Sequence, residues 1–92
     1  MDPALRKRLD NLADLFVEAR EELELASESK ETTYFDEEAA AAKDAVEAAL
    51  GEYSTILSEL QEPLRGEVER SNGLKMEQLK AELELLFEDD HH

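Results

Sequence analysis

Apolar residues in the first third of the chain recur at alternating intervals of four and three positions. This spacing places them on one face of an α-helix and predicts a helix over residues 3–28. Asp2 is expected to cap the first turn, and Pro3 suits the first helical position because the N–H that proline lacks would be unpaired there. The residues of this face are Leu5, Leu9, Leu12, Phe16, Ala19, Leu23 and Ala26.

The same spacing returns after a polar stretch and predicts a second helix over residues 36–61. Asp36 is the expected N-cap, and Glu37 and Glu38 follow it. Negative side chains in a first turn complement the partial positive charge at a helix N-terminus. The apolar face of this helix consists of Ala42, Val46, Ala49, Tyr53, Ile56 and Leu60.

Pro63 predicts the end of the second helix, because a proline inside a helix costs about 3 kcal/mol or more. A third helix is then expected over residues 63–87. The rival break is Gly73, which follows a serine and an asparagine. At about 100° per residue, however, the apolar residues on both sides of Gly73 stay within one sector of a helix. We therefore expect the third helix to continue through Gly73, with a local weakening there.

Three helices of similar length, joined by short connections, predict an all-α fold: a small antiparallel three-helix bundle in a single domain, 1–92. The alternative is a helical hairpin with a long second helix kinked at Pro63. An acidic tail over 88–92 is expected after the last helix. The residues expected to be buried together are Leu12, Phe16, Leu23, Val46, Tyr53, Ile56, Leu60, Leu79 and Leu83.

The charge of the chain excludes several classes of partner. It holds 25 acidic and 10 basic residues, a formal charge of −15, which repels phosphate backbones and disfavours nucleic-acid binding. The longest apolar run, Ala39–Ala42, is far shorter than the ~20 residues that span a bilayer, so no membrane association is expected. The first residues lack the apolar stretch of a secretory signal. A soluble, intracellular protein is the expectation.

Residues with catalytic or metal-binding chemistry are few. The chain has no cysteine, and its histidines are His91 and His92. Glu88 and His91 have the Glu-x-x-His spacing of di-iron bundles, but that site needs a second such pair. We therefore expect no enzyme, no metal and no cofactor, with a carboxylate-based metal-binding or enzymatic bundle as the remote alternative.

Several large apolar residues lie off the predicted core faces. At about 100° per residue, Leu25 on the first helix and Leu74 and Leu85 on the third point away from the core, as does Val17, and Phe87 lies at the margin. These positions favour a protein–protein interaction module: a small helical adaptor, or a subunit of a larger assembly. Its apolar helix faces would contact a protein partner or a second copy. The predicted partner-binding residues are Leu25, Leu74, Leu85 and Phe87.

Charge supports a second hypothesis, an acidic binder of basic ligands with a histone-chaperone-like or inhibitor-like surface. Residues 36–62 hold eight acidic residues against one basic residue, Lys43. The exception to this acidity is the triplet Arg6, Lys7 and Arg8 near the N-terminus. We expect the triplet to pair with the surrounding carboxylates, since three basic residues are fewer than the four to eight typical of lipid-binding clusters.

Overall fold

The computed structural model describes residues 2–88, which form three α-helices and two short connections. The helices are α1 (Pro3–Glu28), α2 (Phe35–Glu59) and α3 (Leu64–Glu88). Each boundary lies within two residues of the predicted one. Glu88, which was predicted to begin the acidic tail, is the last residue of α3, so this helix extends one residue further than predicted. The remainder of that tail, residues 89–92, lies outside the described residues, and so does His91 of the Glu-x-x-His spacing.

The ends of α1 are closed by local hydrogen bonds. The Ala4 N–H donates to the Asp2 carboxylate at 3.3 Å, which confirms the predicted cap. At the other end, the Ser29 N–H donates to the carbonyl oxygen of Leu25 at 3.1 Å. Glu31 then adopts a left-handed conformation, φ 67°, where the chain leaves α1. These contacts satisfy backbone groups that a helix terminus would otherwise leave unpaired.

The start of α2 differs from the prediction, because Tyr34 and not Asp36 is the N-cap. The Thr32 hydroxyl accepts a hydrogen bond from the Tyr34 N–H at 3.2 Å, and the Thr32 carbonyl accepts one from the Phe35 N–H at 3.3 Å. This turn lets the helix begin at Phe35, whose ring packs against the core. The acids at 36–38 therefore lie in the first turn, where their charge still complements the helix dipole.

The break between α2 and α3 lies at Pro63, so the alternative of one long, kinked helix is wrong. Leu60 is extended, with ψ 153°, and the Glu62–Pro63 peptide bond is cis. The Glu62 carboxylate accepts a hydrogen bond from the Gly66 N–H at 3.1 Å, which satisfies a donor in the first turn of α3. Gly73 lies inside α3, as its unbroken periodicity predicted.

The helices form an elongated bundle, 47 × 21 × 15 Å, in which each helix contacts both others. Arg8 in the second turn of α1 meets Glu59 at the end of α2, so these two helices are antiparallel. The second reversal makes α3 parallel to α1, with the Lys75 ammonium 5.6 Å from the centre of the Phe16 ring. The C-terminal ends of α1 and α3 therefore lie at the same end of the bundle as the α1–α2 connection.

The core follows the apolar faces identified in the sequence. Of the nine residues predicted to be buried together, Leu12, Leu23, Val46, Ile56 and Leu79 are buried, and the other four are half-buried and pack against them. No polar side chain among residues 2–88 is buried. Within the same residues, no helix combines the length and apolar character needed to cross a membrane. The remaining buried side chains are Leu5, Ala19, Ala26, Ala39, Ala42, Ala45, Ala49, Val68, Met76 and Leu86.

Candidate functional site

The large apolar side chains placed off the core faces by the sequence are exposed in the structure. Their exposed fractions run from 41% for Phe87 to 73% for Leu74. Tyr34, which precedes α2, and Leu64, the first residue of α3, are also exposed. Single exposed apolar residues are normal on a protein surface, so their positions relative to one another matter more than their number. The whole set is Val17, Leu25, Tyr34, Leu64, Leu74, Leu85 and Phe87.

A groove of about 630 Å³ lies between the C-terminal parts of α1 and α3, and we call it the α1/α3 groove. Leu23 and Leu86, both buried, contribute its apolar base, and the half-exposed Leu85 stands at its α3 side. Carboxylates form part of its rim on both helices. The complete lining consists of Arg20, Leu23, Glu24, Ser27, Glu28, Lys30, Glu82, Leu85 and Leu86.

A smaller groove of about 430 Å³ lies on the other side of α3, facing α2. Phe87 lines it together with Leu83 and Lys43. Leu85 and Phe87 are two residues apart, about 200° around a helix, which explains why they face different grooves.

The structure thus separates the four predicted partner-binding residues. Leu85 lines the α1/α3 groove, and Phe87 lines the groove towards α2. Leu74 and Leu25 line neither of these grooves. Leu74 lies three turns before Leu85 on nearly the same face of α3.

Negative charge is concentrated in one half of the bundle. Cutting each helix at its midpoint separates residues 16–47 and 76–88, which we call the acidic half, from residues 2–15 and 48–75, the opposite half. The acidic half holds fifteen acidic and four basic residues, a formal charge of −11, and the opposite half holds eight and six, a charge of −2. Five of the seven exposed large apolar residues also lie in the acidic half. Exposed apolar surface and negative charge therefore coincide.

The ends of α1 and α3 add to this negative potential. Neither helix has a basic residue in its last turn. The C-terminus of a helix carries a partial negative charge, which Lys, Arg or His in the last turn commonly balances. Because α1 and α3 are parallel, their two C-termini lie together beside the α1/α3 groove.

Two arginines make ion pairs across helix interfaces. Arg8 pairs with Glu59 and, at 3.5 Å, with Glu52, which meets the expectation of pairing with nearby carboxylates for one residue of the basic triplet. The hydrogen bond to Glu59 is the largest influence on the Arg8 guanidinium and raises its pKa. Arg20 pairs with Glu82 across the α1/α3 groove. This pair joins the two helices that line the groove.

Tyr53 is half-buried and packs against the core. Its hydroxyl oxygen lies 3.4 Å from where a Cβ atom on residue 73 would stand, a close van der Waals contact. Desolvation raises the pKa of the Tyr53 hydroxyl, and the negative charges of Glu69 and Glu77 raise it further. The group is far from the α1/α3 groove and serves the helix interface.

The sequence of this bundle matches a known family over nearly its whole length. The pattern of the family described as embryogenesis-like protein helical domain fits residues 6–90. The chain belongs to this family. The matched region contains the complete lining of both grooves and almost all of the three helices.

The chain is similar to the embryogenesis-like protein of Arabidopsis thaliana, with 48% identity over 86 residues. The aligned region covers 94% of this chain and 49% of the relative, so the chain spans about half the length of that protein. No solved structure matches the chain.

The described part of the domain contains no cluster of potential metal ligands. Within residues 2–88, no three histidine or carboxylate side chains come together as a metal site would require. The carboxylates of the α1/α3 groove belong to Glu24 and Glu28, which are exposed, and to Glu82, which is half-exposed and paired with Arg20. Such solvated carboxylates suit the recognition of positive charge better than acid–base catalysis, which needs a desolvated group.

Proposed function

We propose that this domain is a non-enzymatic protein–protein interaction module, acting as a small helical adaptor or as a subunit of a larger assembly. The observation that carries the proposal is the concentration of exposed large apolar side chains in the acidic half, two of which, Leu85 and Phe87, each line a groove. Apolar patches bordered by polar residues are typical of protein interaction sites. The carboxylates near these patches are solvated, which supports a binding role over a catalytic one.

Matched double variants on α3 test this proposal. Leu85→Ser with Phe87→Ser removes two exposed side chains from the acidic half, and Leu64→Ser with Leu74→Ser removes two of comparable exposure from the opposite half. Leu74 is among the residues that the sequence predicted to bind a partner, but it lines neither groove, and the proposed binding surface does not include it. Affinity capture from native extract, quantified by mass spectrometry, should recover a partner with the parent domain and the second variant and lose it with the first. Both variants should keep the melting temperature of the parent.

Two results would contradict the interaction proposal. Equal recovery of every captured protein by the two variants and the parent would remove the role of the apolar patches. A large fall in the melting temperature of the Leu85/Phe87 variant would show that these side chains stabilise the fold instead.

The second candidate function, an acidic binder of basic ligands, is favoured by the charge of −11 in the acidic half. Salt separates the two candidates. Apolar association should survive 1 M NaCl, where the Debye length is about 3 Å, whereas a complex held by charge alone should dissociate. Stepwise elution of the captured partner with NaCl therefore measures the share of each contribution.

A further inference from the structure

We infer that the α1/α3 groove binds a basic amphipathic helix of a partner protein, with the partner helix antiparallel to α1 and α3. This inference rests on the proposed interaction function and names the chemistry of the partner. Three independent features carry it: the shape of the groove, the charge around it and the direction of the two helices that form it.

The groove has the length that a helix needs for its apolar anchors. Its α1 side runs from Arg20 to Glu28, about 12 Å at 1.5 Å per residue. Anchors at positions i, i+4 and i+7 of a bound helix span about 10.5 Å by the same rise, so three anchors fit along it. Leu85, which is 58% exposed, supplies most of the apolar surface for them, above the buried Leu23 and Leu86.

The charge around the groove selects a basic partner. The lining holds three carboxylates, of Glu24, Glu28 and Glu82, and two basic side chains, of Arg20 and Lys30. Arg20 is paired with Glu82, and the larger excess of negative charge comes from the surrounding acidic half, which carries −11. A second copy of this domain would bring the same negative charge to the interface, and like charges facing each other oppose association. Lysines or arginines flanking the apolar anchors of a partner helix would instead meet opposite charge.

The direction of the bound helix follows from the helix dipoles. The C-termini of α1 and α3 meet at one end of the groove, and neither has a basic residue in its last turn. A helix carries partial positive charge at its N-terminus. A partner with its N-terminus at this end is therefore favoured, and it would complete a four-helix arrangement in which neighbouring helices alternate in direction.

The test uses a synthetic 14-residue helix with leucine at positions 4, 8 and 11 and lysine and alanine elsewhere. A scrambled peptide of the same composition, which lacks the apolar stripe, is its control. Backbone NMR shifts of the full domain should change most at Leu23, Ser27, Leu85 and Leu86. A spin label on the peptide N-terminus should broaden resonances near residues 28 and 86 more than those near residue 20.

Matched variants measure what each part of the groove contributes. Leu85→Ser should weaken peptide binding at least about tenfold, as expected for an apolar anchor near the centre of an interface. Leu74→Ser, on the same face of α3 but outside the groove, should change it less than about twofold. Glu24→Gln with Glu28→Gln should weaken binding several-fold at low salt, whereas Asp10→Asn with Asp14→Asn, with the same spacing on α1, should leave it nearly unchanged.

Several outcomes would overturn the inference. These are an affinity for the scrambled peptide equal to that for the amphipathic one, equal effects of the Leu85 and Leu74 variants, and no binding at millimolar peptide. Shifts centred on Leu83 and Phe87 would move the site to the other groove, and the interaction function would still stand. If the peptide binds as expected but the native partner is retained by the Leu85/Phe87 variant, the proposed function fails while the groove keeps its affinity for basic helices.

Discussion

Leu12 offers a direct test of how the core holds the three helices together. Its side chain is 0% exposed, whereas that of Leu74 is 73% exposed, so the same Leu→Ala change removes the same atoms from two opposite environments. Truncating Leu12 removes about three carbon groups at roughly 0.8 kcal/mol each, or about 2.4 kcal/mol of transfer free energy, and the cavity left behind brings the total to about 2–5 kcal/mol. A domain of this size has a free energy of unfolding of about 5–14 kcal/mol.

Urea unfolding followed by circular dichroism measures both variants. Leu12→Ala should lower the urea midpoint and leave the slope unchanged, and its melting temperature should fall by about 10 °C or more, since about 1 kcal/mol shifts a domain of this size by 4–8 °C. Leu74→Ala should stay within about 0.5 kcal/mol of the parent. If Leu12→Ala does not fold, Leu12→Val gives a smaller truncation at the same site. Equal destabilisation by the Leu12 and Leu74 variants would refute the assignment of the core.

Three further predictions concern an ion pair between α1 and α3, the ionisation of Tyr53 and two glycines inside helices. A double-mutant cycle of Arg20→Ala and Glu82→Ala should give a coupling below about 1 kcal/mol that decreases with added NaCl, because the pair is exposed to solvent; a larger, salt-independent coupling would contradict this view. Ultraviolet absorbance titration should place the pKa of Tyr53 above the ordinary 10.0. Because the folded state holds this proton more tightly than the unfolded state, the free energy of unfolding should fall as pH rises above about 10. Tyr53→Phe should remove this contribution. Gly51→Ala should stabilise the domain by about 0.5–1 kcal/mol, because nothing lies within 4 Å of the added Cβ. Gly73→Ala should raise the stability less, because the Tyr53 hydroxyl lies 3.4 Å from the added Cβ. A higher melting temperature for Gly73→Ala than for Gly51→Ala would contradict this.

The sequence predicted the helices well because the period of the apolar residues, Pro63 and Asp2 all act locally. Burial of one face needs only the spacing within a helix, and Pro63 interrupts a helix whatever surrounds it. The start of α2 was placed one residue late because it depends on contacts that residue type alone does not reveal. Asp36 is a good N-cap by residue type, but the turn at Thr32 and the packing of Phe35 against the core move the helix start one residue earlier.

The grooves depend on how helices pair, which a single helical face does not specify. The exposure of Leu85 and Phe87 was predicted, and their angular separation of about 200° already implied that they face different surfaces. What each surface contains depends on its neighbours: α1 beside Leu85 and α2 beside Phe87. The concentration of charge in one half of the bundle likewise depends on the packing, which places the C-terminal half of α3 beside the C-terminal half of α1 and the N-terminal half of α2.

This concentration of charge links the stability of the domain to its binding. The excess of eleven negative charges in one half is self-repelling, which weakens the free fold, and salt reduces that repulsion. The same salt weakens the attraction of Glu24 and Glu28 for a basic helix. Added NaCl should therefore raise the stability of the domain and lower its affinity for a basic helix. A partner that NaCl releases is then released by a domain that is still folded. A basic helix in the α1/α3 groove would supply locally, through its own side chains, the neutralisation that NaCl supplies throughout the solution.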